Sequence, residues 1–245
     1  KLSARPNLFA MGDYSDYEYG MLIDTAYYGL GFLGRNSENI QPLTVPEPIS
    51  ATDYIHRDLP SGKSSEAAGI ARVYTGPVLE TAADVAMANL VGSAIHPEVF
   101  NINRSERGLG YVHGAALGSI EKRAMLYFYG QVEHTDRIVE AEDGWHTAIE
   151  KLRSGQIDDE TWEQYRQGFL AQLNARPSSQ LAELDRVMSD FEVRGDVKWR
   201  EKIIKAVEEF DPSGAPSFID QFVAENGGAF SQLEIRACAR ELGSK

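Results

Sequence analysis

Apolar and polar residues alternate with a period of two in several short stretches, the pattern of strands with one buried face. Gly69-Ile-Ala-Arg-Val-Tyr-Thr75 is predicted to be a strand ended by Gly76-Pro77. A second run begins at Leu109, and a third covers Arg123 to Val132 with Met125, Tyr127 and Tyr129 on one face. Gly118 and Ser119 fall between these two, so an antiparallel hairpin is the natural pairing. Asn7 to Gly12 reads as a short buried strand, followed by cap chemistry at Asp13 to Asp16 and a helix over Tyr17 to Tyr28. Gly29 to Asp58 has no period, carries Pro42, Pro46 and Pro48, and reads as a long surface connection.

Other stretches carry the helical period. Leu79, Ala82, Ala83, Ala86 and Leu90 predict an alanine-rich helix broken at His96-Pro97, with a short helical piece leading to Arg104. Beyond Thr135 the chain is expected to be mostly helical. Its core stripes are Ile138, Ala141, Trp145, Ile149 and Leu152; Trp162, Tyr165, Phe169 and Leu173; Leu181, Leu184, Met188 and Phe191; Trp199, Ile203, Val207 and Phe210; and Phe218 with Phe222. Trp145 and Trp162 are expected to be buried, with Phe169 and Phe191 near them. Leu233 to Ala237 alternates and fits a closing strand or a helix. Strands early and helices late predict an α+β fold, a two-layer unit with helices on one face of a mainly antiparallel sheet.

The stretch with the most chemistry is Phe100-Asn-Ile-Asn-Arg-Ser-Glu-Arg-Gly-Leu-Gly-Tyr-Val-His113. If the strand starts at Leu109, then Leu109, Tyr111 and His113 share a face, and Gly110, Val112, Gly114 and Ala116 form a small-residue face that a helix could approach. Arg104 closes the preceding helical turn. A guanidinium and a phenol at one sheet edge can both donate to a carbonyl oxygen. The plainer alternative is an ordinary helix-to-strand connection with Arg104 solvated and Tyr111 half buried.

The spacing Arg-x6-Tyr from Arg104 to Tyr111, inside Phe-x3-Arg-Ser-Glu-x2-Leu-Gly-Tyr, resembles the motif in the C-terminal half of insulinase/pitrilysin-type zinc peptidases. Ser189-Asp-Phe-Glu-Val-Arg-Gly-Asp-Val-Lys-Trp-Arg-Glu-Lys-Ile203 and Phe210-Asp-Pro are similar to the late helices of bacterial pitrilysins. The likeness covers about residues 5 to 225. Asn103 and Gly108 stand where that family usually has leucine and glutamine, so the turn geometry is expected to differ. The resemblance implies a pitrilysin/mitochondrial-processing-peptidase-like fold, with residues 1–245 as a single C-terminal domain excised from a larger peptidase. It implies that Arg104 and Tyr111 bind the peptide substrate, and that Tyr111 also serves catalysis. Zinc would sit in an N-terminal catalytic half, the partner that this chain does not contain. The alternative is a non-catalytic scaffold or binding subunit of the same fold.

Such a zinc site needs His-x-x-Glu-His, and none of His56, His96, His113, His134 and His146 has that spacing. No zinc is therefore expected on this chain, nor peptide hydrolysis by it alone. Gly29-Leu-Gly-Phe-Leu-Gly34 matches a dinucleotide fingerprint only formally, because a helix precedes it and a polar loop follows. The lone Cys238 excludes an internal disulfide.

With 245 residues, 42% of them apolar, the chain has ample length for a buried core. The net charge of −13 argues against nucleic-acid or anionic-membrane partners, which it would repel. No long apolar run is present, and the first residues lack a signal-peptide core. The chain starts without Met and reads as an excised piece, so its compartment is open; a bacterial pitrilysin would be periplasmic.

Overall fold

The computed structural model describes residues 67–120, 122–223 and 232–238, with Ser15, Gly20 and Met21. The predicted first strand, the connection through Asp58 and the glycine motif lie outside the described residues. So does the helix over Tyr17 to Tyr28, except Gly20 and Met21, which are helical.

In chain order the elements are β1 (Ala68–Val78), α1 (Ala82–Phe100), β2 (His113–Ile120), β3 (Arg123–Val132), α2 (Ile138–Arg153), α3 (Asp159–Asn174), α4 (Gln180–Arg194), α5 (Trp199–Glu208), α6 (Ala215–Val223) and β4 (Gln232–Cys238). A π-helical turn, Asn101–Glu106, continues α1. The packing divides into two compact units: residues 1–44 with 175–200, and residues 45–174 with 201–245.

In the larger unit the described strands form an antiparallel sheet in the order β2-β3-β1-β4. Alternation assigns the faces. Ala68, Ile70 and Tyr74 of β1 and Ala124, Leu126, Phe128 and Val132 of β3 are buried. α6 packs against β1, α1 against β2 and α2 against β3, so these helices form a second layer. This is the expected α+β arrangement. Leu233 to Ala237 lies in β4, which settles that stretch as a strand.

Three boundaries differ from the expectation. β1 runs through Gly76-Pro77 to Val78, with its register shifting between Thr75 and Val78. An irregularity of this kind lets a strand hold a proline without ending. β2 contains Gly118 and Ser119, and Ile120 pairs with Arg123, so the hairpin turns later than expected. α1 is not broken at His96-Pro97; Pro97 lies inside it. Proline removes one backbone hydrogen bond, which burial of the surrounding turn can outweigh. Ala94, Ile95 and Val99 are buried around it. Thr81 and Asp84 form a reciprocal capping box at the start of α1.

The stripe of α2 is core as expected: Ile138, Ala141, Trp145, Ile149 and Leu152 are all buried. Trp145 stacks on Phe128 at 5.6 Å between ring centroids, and Phe128 meets Tyr74 edge-on at 5.9 Å. Arg72, on the inward face of β1, pairs with Glu142 at 3.1 Å and donates toward Nε2 of His146 at 3.4 Å. The α3 stripe is thinner, since only Trp162 is buried, among Tyr165 and Phe210.

In the smaller unit the expectation fails. No residue of α4 is buried, and Leu181 is 65% exposed; Leu184, Met188 and Phe191 are half-buried. Helical period marks a face, but what covers that face is set by the rest of the fold. α4 is bounded by a Ser179 cap and by Gly195 in the left-handed conformation.

Trp145→Ala removes a fully enclosed ring, and the expected loss of stability is about 3–5 kcal/mol. A denaturant midpoint unmoved by the substitution would contradict the assigned packing.

Candidate functional site

The segment between α1 and β2 begins where the helix widens. In the π-helical turn Ile102 and Asn103 are buried, while Arg104 is exposed. Asn103 anchors the turn: its side-chain amide donates to the Ala141 carbonyl at 3.1 Å, and its backbone carbonyl accepts from Leu109 N–H at 2.9 Å. The side chain lies over Gly144, where an added Cβ would stand 1.7 Å from Asn103 Oδ1. A buried asparagine here therefore requires a glycine on α2.

The expected strand from Leu109 is corrected by the backbone. Gly108 has φ +61° and Gly110 φ +142°, and β2 starts only at His113. Positive φ at both glycines breaks the period of two. Leu109 and His113 are buried, whereas Tyr111 is 79% exposed, so the three do not share a face. At Gly110 a Cβ would stand 2.5 Å from the Gln131 carbonyl oxygen.

The structure does bring Arg104 and Tyr111 together. The Arg104 guanidinium carbon lies 5.2 Å from the centre of the Tyr111 ring and 4.9 Å from that of Phe100. Both distances are within cation–π range. Among the described residues Arg104 has no carboxylate partner. A guanidinium held over rings keeps the N–H groups at its edge for a planar acceptor. Tyr111 is more exposed than the half-buried residue of a plain connection would be.

Two further arginines grip this segment: Arg107, a basic residue of the approach in the sequence whose contacts were not foreseen, and Arg137, which sequence reading passed over. Arg107 donates to the Glu140 carbonyl at 2.6 Å and pairs with Asp143 at 2.8 Å. Arg137 donates to the carbonyls of Arg107 at 3.0 Å and Gly108 at 3.2 Å, and its Nε to Glu140 at 2.9 Å. Arg137 is 30 positions from Arg107, so no local pattern signals the contact.

His113 closes the segment. It is 3% exposed, beside Gly130, where an added Cβ would meet its Nδ1 at 2.7 Å. Burial lowers its pKa below the ordinary 6.5, while the backbones of Leu109 and Gln131 pull weakly the other way. Neither ring nitrogen makes a well-formed hydrogen bond, which is why burial dominates.

No three His, Cys, Asp or Glu residues among those described are grouped to hold a metal. Three of the four described histidines are engaged or enclosed elsewhere. Nδ1 of His96 donates to the Ala115 carbonyl at 2.8 Å, His113 is enclosed, and His146 faces the Arg72 cation. A shallow cleft of about 390 Å³ lies beside Trp162, Arg166 and Phe210. Arg166 is engaged there by Glu163 and the Glu208 carbonyl, and Asp159 also lines the cleft. Among the described residues no helix is long and apolar enough to cross a membrane.

The helical layer over an antiparallel sheet is a fold shared with solved peptidase structures. The chain aligns with pitrilysin at TM-score 0.69 and 20% identity, covering 95% of this chain and 24% of that one. The periplasmic protease PqqL from Escherichia coli aligns at TM-score 0.68 and 12% identity, covering 91% of this chain and 24% of that one. A Bordetella pertussis Tohama I protein described as a zinc protease aligns at 0.57 and 12% identity, covering 69% of this chain and 93% of that one. The chain thus spans about a quarter of the length of the first two. More particularly, residues 90–188 match the family model described as PQQ synthase PqqF-like, C-terminal lobe domain 4. That segment contains Arg104 and Tyr111. These findings bear out the resemblance to a C-terminal domain of an insulinase/pitrilysin-type peptidase. No curated protein matches the chain by sequence.

His113 gives a pH prediction. Its folded pKa is depressed, so between that pKa and 6.5 the unfolded chain binds the extra proton. Stability is expected to fall as pH drops below about 6.5, with a shallower slope in His113→Gln. Denaturation midpoints from pH 7.5 to 5 test this; equal slopes would contradict it.

Proposed function

We propose that the chain is the zinc-free C-terminal domain of a pitrilysin-type metalloendopeptidase, one domain that closes a peptide-holding chamber with an N-terminal catalytic half. In this reading Arg104 and Tyr111 serve the substrate. The observation that carries it is the exposed Arg104–Tyr111 pair at 5.2 Å, inside the segment that matches the C-terminal lobe domain. The fold likeness to pitrilysin supports it.

Zinc held by the other half would act as the Lewis acid and activate the attacking water. This chain's part is electrostatic. Hydrolysis of a peptide bond develops negative charge on the carbonyl oxygen, and a phenol O–H aimed there donates more strongly as that charge grows. The Arg104 fork would hold a neighbouring peptide carbonyl and fix the register of the peptide. One donor of this type is worth about 2.7–4 kcal/mol of transition-state stabilisation.

Kinetics on the zinc-containing protein that carries this chain tests the assignment. Tyr111→Phe removes only a hydroxyl from an exposed ring and is expected to lower kcat by about 10²-fold with little change in KM. Arg104→Ala is expected to raise KM as well, because its contact with the carbonyl precedes chemistry. Full turnover in Tyr111→Phe would reduce the likeness to one of fold, as in a non-catalytic subunit. On its own the 245-residue chain is expected to bind no stoichiometric zinc, and elemental analysis of chelator-free protein reads this directly.

A further inference from the structure

We propose that Arg137 is a positioning residue for the Arg104–Tyr111 pair: by tying together the carbonyls of Arg107 and Gly108, it fixes where the phenol stands relative to the guanidinium. The inference rests on the reading of that pair given above.

The connection is least restrained at its two glycines. Gly108 and Gly110 both have positive φ, where glycine is free to move between conformations. Tyr111, beyond them, is 79% exposed, and its recorded ring contact is with the Arg104 guanidinium. Backbone hydrogen bonds restrain the N–H side of the segment, from Arg107 to the Ile102 carbonyl and from Leu109 to the Asn103 carbonyl. They leave the carbonyls of Arg107 and Gly108 pointing away, and Arg137 takes both with its two terminal nitrogens. Its Nε is bound in turn by Glu140, whose backbone carbonyl receives Arg107. The first turn of α2 thereby grips the segment from two directions.

The position of Arg137 argues that this grip is its purpose. It is the residue before Ile138, at the N-terminal end of α2. A cation there opposes the helix dipole. Nor does its side chain cap the helix. Its side-chain bonds run to the connection and to the Glu140 carboxylate, which offsets the misplaced charge. Lysine could not replace it, because a single ammonium on a flexible stem lacks the planar fork that meets two successive carbonyls.

The test uses Arg137→Ala and Arg137→Lys with two readouts. In the 245-residue chain, NMR follows the ring-current shift of the Arg104 side-chain N–H and its cross-peaks to the Tyr111 ring. Resonances of β1 and β3 report that the core is intact. In the zinc-containing protein that carries the chain, steady-state kinetics follows kcat and KM. The expected result for Arg137→Ala is an intact core, loss of the Arg104–Tyr111 cross-peaks, and a fall in kcat of roughly ten- to a hundredfold. Arg137→Lys should restore little of either. The double variant Arg137→Ala/Tyr111→Phe should be no slower than Tyr111→Phe alone, since both remove the same donor.

Cross-peaks that survive in Arg137→Ala overturn the proposal, as does an additive loss in the double variant. Cross-peaks lost with turnover unchanged also overturn it. In that case Tyr111→Phe separates the two failures. A slow Tyr111→Phe keeps the catalytic reading and removes only Arg137 from it, whereas a fully active one removes both.

Discussion

The larger unit depends on the burial of one helix that is apolar nearly all round. Leu90, Val91, Ala94, Ile95 and Val99 of α1 are excluded from water, and the helix packs on β2, α2, α3 and α6. A helix packed against this many elements, with exposure confined to positions such as Ala83, His96 and Pro97, has little freedom to rotate or slide. Its end is therefore fixed in space, and the π-helical turn that follows inherits that position. This is why an arginine at the surface can have a defined place: Arg104 stands one turn beyond residues that cannot move.

A rigid base alone does not orient the tyrosine, because six residues, two of them glycines of positive φ, separate Tyr111 from Arg104. The intervening segment is held by polar groups as well as by the buried side chain of Leu109. Asn103, Arg107 and Arg137 each reach backbone carbonyls, and Asn103 does so from a fully buried position. A polar anchorage of this kind specifies one conformation, since a shifted segment would leave buried donors and acceptors without partners. Loops that carry chemistry on rigid scaffolds are commonly built this way, with apolar packing setting the frame and hydrogen bonds setting the tip.

The sequence made the frame legible and the tip only in part. Arg123 to Val132 alternates strictly enough that β3 was readable residue for residue, and the α2 stripe ending at Leu152 identified core correctly. Pro97 misled, because its cost is local while the burial that offsets it comes from elements far along the chain. Gly108 and Gly110 misled in the opposite direction. Glycine accepts either sign of φ, so an alternating pattern containing two of them cannot reveal that the strand has not begun. Leu181 shows a third limit: period identifies a face without saying whether anything lies over it. The Arg104–Tyr111 spacing pointed to a real juxtaposition, yet its support from Arg137 left no trace in any local window.

His96 carries a consequence of a different kind. β2 is the outer strand of the described sheet, and Val112 accepts from Gln131, so Ala115 and Leu117 direct their backbone groups outward. Such a row of unpaired amides and carbonyls invites another chain to add itself as a further strand. Here the Ala115 carbonyl is taken by His96, and α1 comes so near at Gly92 that a Cβ there would touch Leu117 at 3.0 Å. The middle of the strand is thus closed to edge-to-edge association. Along the centre of β2 a further strand therefore finds no free row of backbone groups to pair with.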